Sequence, residues 1–226
     1  MWAMSVWAAV RQELLRLRAE QPALLMAYTD PNAEPDPSPP FFIQLDASAV
    51  TTAHDLHRRF GEQAELRVGA LPFPPSPDQP WRQPALRKPV PLDHSIDGIR
   101  VELAGPLTVR SGTTSRHTLT ITNDTAGGMA VQTNGQLTAQ VVDPRDGSHV
   151  GGSAAFQTQP LVRIHIAPGT SAGAPLLVGT TSFVPRLGYT IPPGRWGITA
   201  DLQLEDGRRL LTPILPIEVL PGMEPS

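Results

Sequence analysis

The chain of 226 residues contains no cysteine. Disulfides, thiol nucleophiles and thiolate metal sites are therefore excluded together. A globular chain of this length can bury roughly 70% of its unfolded surface, so a core needs no such staple. Long hydrophobic runs are also missing, and nothing approaches the ~20 apolar residues that span a bilayer. Met1-Trp2-Ala3-Met4-Ser5-Val6-Trp7 lacks the basic n-region and unbroken apolar h-region of a signal peptide. The expectation is a soluble cytoplasmic protein, with Met4 an alternative start that would make Ser5 a helix N-cap. No charge of one sign dominates. Eighteen basic and 21 acidic side chains are interspersed for a net charge of -3, which excludes the electrostatic footprint of a nucleic-acid or anionic-membrane binder. Lysine is nearly absent: Lys88 stands beside seventeen arginines, the residue usage of a GC-rich bacterial genome.

What is abundant is proline, with 26 residues, and glycine, with 19. They divide the chain. Before residue 72 the pattern alternates helix and strand. Trp7, Val10, Leu14 and Leu17 recur at three and four, opposite a charged face, and predict an amphipathic helix over 6–20 that Pro22 stops. Leu24–Tyr28 and Phe41–Leu45 read as strands around an acidic, proline-rich loop. Asp46 or Ser48 is expected to cap a second helix on which Ala49, Val50, Ala53, Leu56 and Phe60 share a face, with Gly61 at its C-terminus. Glu65–Val68 alternates as a third strand. A module of this size, residues 1–71, has a marginal core of its own and is expected to lean on other surfaces. Residues 72–91 hold eight prolines and read as an extended linker, in which Trp81 is expected to find a surface.

From residue 92 the pattern is all β. Ile99–Leu103, Thr118–Thr122, Gly128–Thr133, Leu137–Val142, Leu161–Ile166 and Leu176–Phe183 are short segments separated by turn chemistry. Pro192-Pro193-Gly194 then leads into the clearest feature of the chain. Trp196, Ile198, Ala200, Leu202 and Leu204 alternate with Arg195, Gly197, Thr199, Asp201 and Gln203, which predicts one buried and one wet face. Asp206-Gly207 is expected to close a hairpin with positive φ at both positions, and residues 210–219 to return as one strand. The fold class expected is an α+β N-terminal module followed, over 92–226, by an all-β immunoglobulin-like antiparallel sandwich.

Several segments carry a family likeness. Thr118-Leu119-Thr120-Ile121-Thr122-Asn123 is an early strand ending in Asn, and Leu137–Val142 runs into Asp143-Pro144-Arg145-Asp146-Gly147. Ile166-Ala167-Pro168-Gly169 and Pro193-Gly194-Arg195-Trp196 complete the set. Over roughly 99–219 this layout resembles the Ig-like fold of the bacterial intracellular proteinase inhibitor family, and the whole chain resembles two-domain proteins of GC-rich bacteria. The resemblance implies a fold and a protein-binding habit. It maps no inhibitory residue onto this sequence.

Motifs that carry chemistry are few. Gly169-Thr170-Ser171-Ala172-Gly173 fits the Gly-x-Ser-x-Gly pattern, but a nucleophile elbow needs a following helix and a later His, and no His follows His165. His54 and His57 lie three apart on the second helix, near enough to share a metal, yet no third ligand is local; they can also meet the acidic loop at 34–36. Asp143, Asp146 and Gly147 match only part of a calcium loop. Asp201, Glu205 and Asp206 are carboxylates on a wet face and a turn, with nothing to desolvate them. No catalytic residue, cofactor or metal is therefore expected.

The function expected is non-catalytic protein binding or scaffolding through the Ig-like domain, with Trp81, Arg186, Tyr189 and Trp196 as candidate interaction residues. A protein partner is expected, and neither nucleic acid nor membrane. One alternative is a proteinase inhibitor that presents 180–193 as an exposed loop. Another is an enzyme using His54 and His57 between the domains.

Overall fold

The computed structural model describes residues 2–32, 39–75, 88–154 and 161–222. It is β-rich with two α-helices, an α+β architecture. The chain divides into two compact units, 1–82 with 184–189, and 83–183 with 190–226.

In the first unit, helix α1 (Trp2–Glu20) and a short 3-10 turn (Pro22–Leu24) precede strand β1 (Leu25–Tyr28). Strand β2 (Phe41–Leu45), helix α2 (Val50–Phe60) and strand β3 (Ala64–Val68) form a parallel crossover, and β4 (Leu71–Phe73) turns back antiparallel. The sheet order is β1-β2-β3-β4. Its core joins Trp7, Val10, Leu14 and Leu17 of α1 to Phe41, Ile43 and Leu45 of β2 and to Ala53 and Leu56 of α2. The Trp7 and Phe41 rings lie 4.9 Å apart. Glu13, only 7% exposed, accepts hydrogen bonds from Arg16 and from Arg59 Nη1 at 2.7 Å, so one carboxylate ties α1 to α2. These guanidinium bonds hold its pKa below the ordinary carboxylate value.

Three expectations for this unit are corrected. Ser5 lies inside α1, which begins at Trp2. Helix α2 has no side-chain cap; Asp46 Oδ1 accepts the backbone N–H of Ser48, turning the chain into the helix without reaching its first free amides. Gly61 does end α2, at φ +55. The linker cannot begin at 72, because Pro72 and Phe73 belong to β4. An edge strand tolerates proline because one side of it needs no N–H. Linker residues 76–87, Trp81 included, lie outside the described residues, as does the acidic loop at 34–36.

The second unit contains β5 (Ile99–Leu103), β6 (Thr108–Arg110), β7 (Thr114–Asn123), β8 (Met129–Thr133), β9 (Leu137–Val142) and β10 (His149–Gly152). It continues with β11 (Val162–Ile166), β12 (Ser171–Gly179), β13 (Thr181–Ser182), β14 (Gly194–Leu204), β15 (Arg209–Leu211) and β16 (Leu215–Leu220). The main path runs β11-β8-β14-β9-β12-β7-β5. Strand β14 is the shared element. Its first half pairs with β9 and β16, and its second half with β8 and β15. The middle of β14 is therefore buried on both sides. Thr199, expected on the wet face, is 1% exposed and donates its hydroxyl to Thr212 O at 2.8 Å.

The return strand breaks into β15 and β16 at Thr212-Pro213-Ile214. There the Thr212 hydroxyl, rather than a backbone carbonyl, accepts the Ala200 N–H at 2.9 Å. The turn before it also differs from expectation. Gly207 takes φ +85, but among the described residues no non-glycine has positive φ, so Asp206 keeps a negative φ and its Oδ1 accepts the Arg208 N–H at 3.0 Å. The hairpin closes with one left-handed glycine, not with two left-handed residues.

Two buried polar features organise the loops. Asn123, with no exposed surface, donates to Gly127 O (2.8 Å) and Ile166 O (3.1 Å) and accepts from Thr125 N and Oγ1. Gly147 closes the 143–148 turn at φ +70 and accepts the Val90 N–H at 2.9 Å. Asp143, expected as a turn residue, accepts the Arg145 N–H and pairs with its guanidinium, so the partial calcium motif is a hairpin turn.

Candidate functional site

Three places in the structure could do chemistry or binding. The first is an edge. Strand β11 pairs with β8 on one side, and among the described strands nothing pairs with the other. Its residues alternate: Val162, Ile164 and Ile166 share one face, and Arg163 and His165 the opposite one. Along the first face burial falls steadily, from Ile166 in the core through half-buried Ile164 to Val162, 40% exposed. Leu161 beside it is 63% exposed. Four large apolar side chains are exposed among the described residues, Leu15, Leu92, Leu161 and Val162, and the last two adjoin on this edge. The edge at the other end of this path is guarded. Strand β5 alternates Arg100 and Glu102 with buried residues, and Arg100 is ion-paired with Asp124 at 2.8 Å.

The second place is a groove of about 720 Å³ in the second unit, lined by His94, Ile96 and Asp97, by Gly127 to Met129 of the Asn123 turn, and by Leu204 and 208–211 of the hairpin. His94 Nε2 donates to Leu211 O at 2.8 Å, which leaves Nδ1 as the acceptor nitrogen. Arg208 is held by Asp206 at 2.7 Å. The groove gathers one imidazole, the hydroxyl residues Ser95 and Thr125, and charges of both signs.

The third lies in the first unit. Phe73 on β4, 6% exposed, is ringed by aromatic edges: His54 at 4.7 Å, His57 at 6.0 Å and Tyr189 at 6.0 Å. The two histidines spaced closely enough to share a metal are packed on a phenyl ring. No group of three or more metal-ligating side chains occurs among the described residues. Tyr189 donates to Pro72 O at 3.4 Å, and burial raises its phenol pKa.

The remaining candidate residues do not converge. Arg186 is exposed on a 3-10 turn (Pro185–Leu187) of the first unit. Trp196 belongs to the second unit, where its Nε1 donates to Pro192 O at 2.9 Å. The segment 180–193, expected as an exposed loop, is built in at both ends: Thr180, Thr181, Ser182 and Ile191 are buried, and Tyr189 is packed on Phe73. Ser171 of the Gly-x-Ser-x-Gly pattern begins β12, where its hydroxyl meets Thr122 Oγ1 at 2.8 Å.

One contact had no sequence signal. Ser115 Oγ and His117 Nε2 share a hydrogen bond of 2.7 Å along β7, and desolvation lowers the His117 pKa. Among the described residues no carboxylate orients its other nitrogen, so the pair lacks the third group of an activated serine.

No protein-family model matches the chain, and no curated protein does. Partial structural likeness is found to a β-glucosidase from Listeria innocua, at 10% identity and a TM-score of 0.32, covering 55% of this chain and 16% of the enzyme. Spo0M, a sporulation control protein from Bacillus subtilis, is similar at 12% identity and TM-score 0.30, with 56% and 49% covered. E. coli alpha-2-macroglobulin is similar at 23% and 0.30, with 55% and 7% covered. The chain spans less than half the length of each of these proteins, and at such TM-scores none bears on what it does.

Proposed function

We propose that the second unit is an immunoglobulin-like sandwich that binds another protein in the cytoplasm, without catalysis, by accepting an extended segment on the outer edge of β11. The observation that carries this is the side of β11 that no described strand pairs, next to exposed Leu161 and Val162. An edge strand presents a row of backbone donors and acceptors, and an added strand satisfies them while its side chains cover alternate pockets. The sharing of β14 by two ladders, with alternating buried residues, supports the sandwich reading. The built-in 180–193 segment favours the edge over that loop as the binding surface.

The test is partner capture from a native lysate by the immobilised full chain and by Val162→Lys, with Glu102→Gln on β5 as control. Lysine on an edge opposes strand addition. A partner held by the wild type and the control but lost by Val162→Lys supports the reading; a partner held equally by all three overturns it.

A further inference from the structure

We infer that the segment which completes β11 alternates apolar and acidic side chains, apolar opposite Val162 and Ile164 and acidic opposite Arg163 and His165. This rests on the edge-binding reading and adds the chemistry of the partner. A strand added to β11 continues its pleat, so each partner residue faces the same side of the sheet as the residue it opposes. On the core side Val162 and Ile164 offer a partly uncovered apolar strip beyond Ile166.

On the outer side the register builds one row across four strands: Arg163 opposite Gln132, Gln132 opposite Gln203, and Gln203 opposite Arg209. The row has a guanidinium at each end, two amides between and no carboxylate within it. A partner strand extends it beyond Arg163. Arg163 Nε meets Glu205 Oε1 at 3.3 Å, with both side chains half exposed. Such a surface pair is weak, and a guanidinium has further N–H groups to offer a second carboxylate. His165, exposed and next on this face, supplies an imidazole N–H. The β5 edge shows no such bias, because Arg100 and Glu102 present both signs.

A second copy of the chain fits poorly. Antiparallel pairing of two β11 strands about Ile164 sets Arg163 of one copy opposite His165 of the other, with no acidic residue on either strand to pair across.

The experiment uses the full chain and two short fluorescein-labelled peptides, one alternating valine with aspartate and one alternating valine with lysine, read by fluorescence anisotropy at low and high salt. Opposite-charge cross-strand pairs favour the aspartate peptide and like-charge pairs oppose the lysine one, so about tenfold tighter binding of the aspartate peptide is expected, shrinking at high salt. Arg163→Glu should invert the preference, and Val162→Lys should lose both peptides. Equal binding of both peptides, still abolished by Val162→Lys, overturns the acidic partner but leaves the edge reading standing. No binding of either peptide overturns the inference, and the edge reading falls with it if lysate capture is also indifferent to Val162→Lys. A wild-type dimer in sedimentation that Val162→Lys dissociates would make the occupant a second copy and overturn it as well.

Discussion

Replacing Gly147 with alanine should be among the most damaging single-methyl changes in the second unit. A Cβ at Gly147 would lie 1.9 Å from Val90 O and 2.9 Å from Val90 C, distances that backbone atoms cannot tolerate. The residue also sits at φ +70, where a side chain costs about 1–2 kcal/mol. Relief requires Val90 to move away. That breaks the Val90 N–H bond to Gly147 O, about 0.5–1.5 kcal/mol, and re-exposes a side chain that is 1% exposed, about 1.5–3 kcal/mol.

Gly207→Ala is the control. Its φ of +85 carries the same strain, but nothing lies within 4 Å of its Cβ. Urea titrations followed by circular dichroism should place Gly207→Ala about 1–2 kcal/mol below wild type and Gly147→Ala roughly 3–5 kcal/mol below. Val90→Ala should cost less in the Gly147→Ala background than in the wild type, because contacts already broken cannot be lost twice. If Gly147→Ala costs no more than Gly207→Ala, Val90 is not held on the turn and the reasoning fails.

Other outcomes are equally definite. Asn123→Ala strands the carbonyls and the amide that its fully buried side chain serves, and should lower stability in urea by about 2–4 kcal/mol; Asn123→Asp, which loses the Nδ2 donor, should not restore it. Glu13→Gln should destabilise the first unit at pH 7. Because the folded pKa of Glu13 lies below its ordinary value of 4.5, the ionised group's contribution is present above that value and is lost as pH falls through the lowered one. The gap between wild type and Glu13→Gln in denaturant midpoints should therefore narrow on acidification, and a gap independent of pH would contradict the pairing. Tyr189→Phe should be nearly neutral, since the bond to Pro72 O is long, whereas Tyr189→Ala uncovers Phe73 and should cost about 1–3 kcal/mol in thermal or urea melts.

Much of the fold was legible where one face is wet and the other buried. Ile99–Leu103 and Leu137–Val142 have the bounds their patterns predict, because alternation records burial directly. The pattern fails where both faces are covered. Strand β10, His149–Gly152, is buried throughout, and Gly151 is there because a Cβ would meet Thr181 O at 2.4 Å. Nothing local in His-Val-Gly-Gly announces that approach. Strand β12 begins five residues before the expected Leu176, because its ladder with β7 supplies the partners that Ser171-Ala172-Gly173 cannot advertise. Of the candidate site, His54, His57 and Tyr189 were singled out as ligands or contacts, and the structure uses them to enclose Phe73, a residue hidden among the linker prolines.

By itself the sequence determined the absence of thiol chemistry, the amphipathic helices, the strands with one wet face and the glycine turns, since each depends on neighbours a few residues away. Tertiary structure alone decided that β14 joins two ladders, that Gly147 holds Val90, that segment 184–189 counts with the first unit, and that among the described strands β11 pairs on one side only. Those outcomes turn on which distant segments meet. Hydrogen-bond register and steric exclusion settle that between chain positions far apart, where no local pattern can record it.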